Sequence, residues 1–369
     1  MTASLAAEAM AAGIRRAVPD AVIDLCPIAD GGEGTLSAFT TALPSQIHRV
    51  IIDGPLGDPV ETAFGSFAQG MFAVVESAMA AGLQLIPEQN RDPEKTSSYG
   101  VGELLVATCR TAPRRIIVGV GGSATNDGGC GMAQALGVRF FDHDDRLIEQ
   151  PVCGGMLNDI KRIDASGQLA ALANIEIIVA SDVRNPLTGP QGAAAVYGPQ
   201  KGATAEQVAR LDSGLANLAG LIRRDLDMDI EMQPGSGAAG GLGGGLVAFA
   251  GATITSGIDA VLEAANFDRR VQGADLCLTG EGKIDSQSVS GKACIGVARA
   301  AGGHGVPTIA LVGAVGSGAE HCLQAGLEEI VVIGEGLPAE QSIQQAEELI
   351  AAAAGEVARK HLDLSEIPQ

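Results

Sequence analysis

Residues Gly119 to Gly129, GVGGSATNDGG, put five glycines together with Ser123, Thr125, Asn126 and Asp127. The β-branched run Ile116, Ile117, Val118, Val120 precedes them and reads as a buried strand. An alanine- and leucine-bearing segment after Cys130 reads as a helix. A glycine-rich turn between strand and helix exposes backbone N–H groups at the positive end of the helix dipole, which suits a phosphate or a carboxylate. Gly119, Gly121 and Ala124, with Asp142 further on, also fit the dinucleotide fingerprint, so an NAD-dependent dehydrogenase is an alternative. Against it, Asn126, Asp127, Gly128 and Gly129 stand where the first helical turn should pack. A Walker A pattern occurs nowhere.

Four further loops carry candidate chemistry. Asp30, Gly31, Gly32 and Glu33 follow the run AVIDLCPI and place two carboxylates at a strand end. Ser181-Asp182-Val183-Arg184-Asn185-Pro186 follows EIIVA, and Asp182 there can take a proton from a hydroxyl, hold Mg²⁺, or simply form an Asx-turn. Lys201 stands ahead of Thr204, a helix N-cap, and can add to an anion site or lie on the surface. Gly280, Glu281, Gly282, Lys283 and Asp285 follow DLCL; cations and carboxylates so concentrated suit phosphoryl transfer. The stretch 235–245 is preceded by a helical, polar segment and reads as a loop that allows close approach of a ligand or of another backbone.

Hydrophobic residues are 46% of the 369, but aromatics only 3% and Trp is absent, so a base-stacking platform is not expected. With 24 basic against 44 acidic residues the net charge is −20, which disfavours nucleic acid and anionic membrane as partners. Seven scattered cysteines without C-x-x-C read as reduced thiols, and five histidines show no ligand spacing. No apolar run approaches the roughly 18 residues of a membrane span. A cytoplasmic enzyme is expected.

Strand-like runs at 21–29, 48–55, 61–67, 72–78, 114–121, 176–182, 275–282, 307–315 and 328–336 alternate with helical ones, which gives an α/β protein. The three runs within 48–77 have only turns between them and should be antiparallel. The expected organisation is a discontinuous doubly wound parallel-sheet domain, 1–47 plus 275–369, and an inserted mixed-sheet domain, 48–274. Residues 1–18 read as an amphipathic helix capped by Thr2 or Ser4, although a doubly wound domain normally opens with a strand.

Taken in order, ADGGEGT at 29–35, GPLG at 54–57, GVGGSATNDGG at 119–129, SDVRNPL at 181–187, GPQKGAT at 198–204, GSGAAGGLG at 235–243, SGID at 256–259 and TGEGKID at 279–285 resemble the bacterial glycerate kinases of type I, the glycerate 2-kinases. The resemblance spans essentially the whole chain. It implies ATP- and Mg²⁺-dependent phosphorylation of D-glycerate, most often on the 2-hydroxyl, with 3-phosphorylation open. It implies a flavodoxin-like domain and a restriction-enzyme-like domain with the site in the cleft between them. The roles it suggests are catalytic for Asp182, Lys283 and Asp285. Asp30, Gly31, Gly32, Glu33, Gly121, Gly122, Ser123, Thr125, Asn126, Asp127, Gly128, Asn185, Lys201, Gly280, Glu281 and Gly282 would bind substrate or nucleotide, and Asp182 and Asp127 would meet Mg²⁺. A binding protein for sugar acids is the non-enzymatic alternative, and a homodimer is left open. The family pattern opens with a strand and a lysine-bearing loop before the first helix. Their absence here leads to the expectation of an unpaired strand at 21–28 and of weak turnover.

Overall fold

The structure is a computed structural model and describes residues 1–28, 35–286, 288–290 and 293–362. The chain divides into two compact units, Met1–Asp30 with Ile258–Gln369, and Gly31–Gly257.

The second unit is built on a six-stranded mixed sheet. Its strands are β1 (Ser45–Asp53), β2 (Pro59–Phe67), β3 (Phe72–Glu76), β4 (Arg115–Gly119), β7 (Glu176–Ala180) and β8 (Thr253–Thr255), while β5 (Arg139–Phe141) and β6 (Arg162–Asp164) pair separately. The spatial order is β1-β2-β3-β4-β7-β8, antiparallel from β1 to β3 and parallel from β3 to β8. The turn between β1 and β2 closes through Gly54 N–H to the Asp58 carbonyl at 2.7 Å, with Gly57 at φ +87°. Val74, Val75, Ile116, Ile117, Val118, Ile177, Ile178 and Val179 are all buried. Strands covered on both faces need such continuous apolar runs, and these are the runs evident in the sequence.

The first unit holds a three-stranded parallel sheet, order β11-β10-β9, made of β9 (Cys277–Glu281), β10 (Thr308–Val312) and β11 (Glu329–Val332). The helix Ala3–Ala17 starts at Thr2, whose hydroxyl accepts from Leu5 N–H, and packs against the helix Ala346–His361. Gly13 makes that approach possible, since a Cβ there would sit 1.8 Å from the Ala351 carbonyl oxygen.

Three expectations need correction. The unit boundaries fall at 30/31 and 257/258 rather than at 48 and 274. The helix Thr35–Ala42 packs on the larger sheet, its Phe39 ring 5.5 Å from Phe67 and 6.0 Å from Phe72. The helix Gly257–Ala264 lies against 293–302 instead, where Gly296 leaves room for Ile258. Strands β5, β6 and β8 were not foreseen, each having only three residues. Finally, 21–28 carries no strand ladder. It borders, with β9 and the helix Ala3–Ala17, a cavity of about 1010 Å³. Val22 is fully exposed, and β9 is half-buried where β10 is wholly buried. Amides of 22–28 are expected to exchange hydrogen orders of magnitude faster than those of β10, measured by mass spectrometry. Equal protection would contradict this account of the sheet edge.

Candidate active site

Because β3, β4, β7 and β8 run parallel, their carboxyl ends share one edge of the sheet. That edge presents Glu76-Ser77, Gly119-Gly122, Ser181-Asp182 and Ser256-Gly257. Open α/β sheets take their ligands at such an edge. Neighbouring loops are laced together: Ser77 N–H donates to the Gly119 carbonyl at 2.9 Å, and Ser181 N–H to that of Thr255 at 3.0 Å. Asp182 is exposed, and its Oδ1 accepts from Gly257 N–H at 2.9 Å.

The glycine-rich loop is fixed on several sides. Leu83 N–H donates to the Gly122 carbonyl (2.9 Å), Ala124 N–H to that of Ala81 (2.8 Å), and Gly128 N–H to that of Gly240 (3.1 Å). Gly122 stands at φ +68°. The amides of Gly121, Gly122 and Ser123 donate to no acceptor among the described residues. Three successive unspent N–H groups about a left-handed residue are a donor set of the kind that can take an anion. The stretch 235–245 supplies the loop's support. A Cβ at Gly240 would lie 2.0 Å from the Thr125 carbonyl oxygen, and one at Gly245 2.4 Å from that of Gly128.

Two charged groups are sealed behind the loop. Asp127 is fully buried and accepts from Ser98 N–H (2.8 Å), Ser98 Oγ–H (2.7 Å), Gly129 N–H (3.1 Å) and Gly131 N–H (3.2 Å). Burial pushes its pKa up and those hydrogen bonds oppose the shift. Its lone pairs are thus spent on tying the loop to two helix starts, Tyr99–Cys109 and Cys130–Ala135. Asp127 is not open to a metal ion, which corrects that expectation. Lys201 is no surface lysine, being 2% exposed. Its Nζ donates to the Thr125 carbonyl (2.6 Å) and to Ser123 Oγ (3.1 Å). Burial lowers its pKa to about 7, with Asp127 acting against the shift.

A consequence for stability follows from Lys201. Folded, it loses its proton near 7, and unfolded only near ~10.4. Between those values the unfolded chain binds more protons, so stability rises with pH. Cysteines such as Cys130, whose thiol is raised by burial, reverse the slope once unfolded thiols ionise near ~8.5. Melting temperature should therefore climb from pH 7 to 8.5 and lose part of that slope in Lys201→Met; identical slopes would count against it.

Other predicted residues are accounted for as follows. Asn185 spends both ends of its amide on its own loop, Nδ2 to the Gln191 carbonyl (2.7 Å) and Oδ1 from the Tyr197 hydroxyl (2.8 Å). Gly128 is buried at φ +62° with Leu218 against it, so it serves packing rather than a ligand. Thr125 Oγ1 and both polar atoms of Asn126 are buried without a hydrogen-bond partner among the described residues. Gly280, Glu281, Gly282, Lys283 and Asp285 belong to the first unit, where Lys283 Nζ and Asp285 Oδ2 pair at 3.0 Å. Asp30, Gly31, Gly32 and Glu33 lie outside the described residues. The dinucleotide alternative fails on topology. Asp142 follows β5, which pairs with β6 and not with β4, and its carboxylate accepts from Asp144 N–H and Arg146 N–H in a local turn. Glu76 and Ser77 were missed, although FAVVESA shows the same strand-then-polar pattern as EIIVASD. Glu76 accepts from Leu36 N–H at 3.5 Å, and Ser77 Oγ is buried without a partner among the described residues.

A glycine loop with open amides at the carboxyl edge of parallel strands, with a carboxylate on the adjacent strand end, is the arrangement of an α/β enzyme. Comparison with known proteins makes the class specific: residues 1–362 match the glycerate kinase family, and the chain belongs to it. It is 44% identical to a glycerate kinase of Halalkalibacterium halodurans, over 97% of this chain and 94% of that one. It is 42% identical to the glycerate 2-kinase of Escherichia coli K12, over 90% and 88%. A solved structure from Salmonella typhimurium LT2, assigned as a glycerate kinase 2, superposes with TM-score 0.86 at 41% identity, covering all of this chain and 96% of that one. The protein is thus a phosphotransferase. Among the described residues no helix is long and apolar enough to cross a membrane.

Proposed function

We propose that this chain phosphorylates D-glycerate with ATP, on the 2-hydroxyl. The observation that carries this reading is the trio of open amides at Gly121, Gly122 and Ser123, in a loop braced by Lys201, Asp127 and Gly240. Phosphoryl transfer depends mostly on positioning and charge stabilisation, and a rigid concavity of N–H donors provides both. The loop holds a carboxylate or phosphate oxygen. Asp182 Oδ1 stays with Gly257 N–H, and the other oxygen accepts the proton of the attacking hydroxyl. Among the described residues no three metal-ligating side chains cluster. Mg²⁺ would arrive on the ATP phosphates with its own waters and would neutralise charge on them.

Phosphorus NMR of a reaction with D-glycerate and Mg-ATP tests the assignment. A phosphate on C2 couples to one proton and gives a doublet, whereas one on C3 couples to two and gives a triplet. A doublet is expected. A triplet would transfer the reaction to the 3-hydroxyl, and no ester signal would remove the proposal.

A further inference from the structure

The loop with three open amides has an amine buried directly beneath it. Lys201 Nζ reaches two acceptors, Ser123 Oγ and the Thr125 carbonyl, and both are uncharged. It forms no ion pair among the described residues, and Asp127 is the one charged side chain acting on it. Asp127 is itself committed to four hydrogen bonds. A neutral amine has two N–H groups, which match those two acceptors, while an ammonium adds a buried charge without a partner. Ser123 links this amine to the outer face of the loop. Its hydroxyl accepts from Lys201, and its amide is one of the unspent donors. An anion docked on the amides of 121–123 therefore lies one residue away from Nζ. In a dry interior, a negative charge that close favours the ammonium.

We propose that Lys201 takes up a proton when a carboxylate or phosphate occupies the loop, and so acts as a positioning residue that supplies charge from beneath without touching the ligand. This rests on the reading of the loop as the anion seat. The free enzyme avoids a buried unpaired charge, and the liganded enzyme gains one where it strengthens binding. The balance is simple: one proton passes from solvent to Nζ for each anion bound, and no bond to the ligand forms.

Calorimetric titration of the whole chain with D-glycerate and, separately, ATP at pH 8, in two buffers of different ionisation enthalpy, counts the protons exchanged. Wild type should take up a substantial fraction of a proton and Lys201→Met none. KM of the variant should rise roughly tenfold, the increase shrinking as pH rises above 8. Its melting temperature shows whether it is folded, and Lys201→Gln, which keeps a donor but cannot take up a proton, should restore stability without restoring uptake. Hydrogen exchange at 121–123 separates the two readings. Protection by either ligand with equal proton uptake in wild type and Lys201→Met would overturn the role of Lys201 alone. No protection and no heat with either ligand would remove the anion seat itself.

Discussion

Replacing Asp182 with asparagine should lower kcat about a hundredfold or more, the scale on which a general base contributes. Asparagine keeps the side-chain oxygen that accepts from Gly257 N–H, so the turn into the helix Gly257–Ala264 survives and the melting temperature should hold. What disappears is the negative charge that draws a proton from a hydroxyl or meets a cation. Steady-state kinetics with a thermal melt alongside checks both halves. Activity within a few-fold of wild type would leave Asp182 as a turn-former and nothing more.

The second large effect is expected far from any charge. Gly240 sits at φ +70° with the Thr125 carbonyl and Asn126 against it, and its own carbonyl accepts from Gly128 N–H. Alanine there meets a left-handed backbone and an oxygen 2.0 Å from its Cβ. Neither the glycine loop nor 235–245 can yield cheaply, because each is packed on the other. Gly240→Ala should cost on the order of 3 kcal/mol, the range of core overpacking. Activity should fall more than that stability loss alone explains, since the same shift displaces the carbonyl that Lys201 holds. The two units need not unfold together, so the readout is the transition that carries 31–257. A control, Gly251→Ala, shares a positive φ of 66° but has nothing within 4 Å, and should cost far less. Equal losses at both positions would show that backbone strain, not the packed loops, sets the effect.

How much of this was legible in the sequence varies with the physics involved. The runs Ile116–Val118 and Ile177–Val179 announce buried parallel strands because both faces are covered. Thr204 and Gln207 form the capping box that precedes the helix Ala205–Leu226. A close approach at 235–245 was readable from its glycines, though not whether a ligand or another backbone makes it. Lys201 and Asp127 were not readable in their actual roles. A charged side chain is expected at the surface, and the partner that holds the buried Asp127 is Ser98, 29 positions away. Residues 21–28 misled for the opposite reason: their apolar run is strand-like, but a strand also needs a neighbour, and none among the described residues pairs with them. Strands of three residues such as β5 and β8 carry too short a pattern to show any period.

The central claim is that this chain moves phosphate from ATP to D-glycerate using the loop at 121–123 and Asp182. Initial rates of ADP release in a coupled assay, with D-glycerate, L-glycerate, glycolate and no acceptor, test it most directly. The account predicts release that depends on both Mg-ATP and D-glycerate, saturates with D-glycerate, and drops to near the no-acceptor rate in Asp182→Asn. Release indifferent to D-glycerate, from protein shown to be folded by its melt, would contradict it.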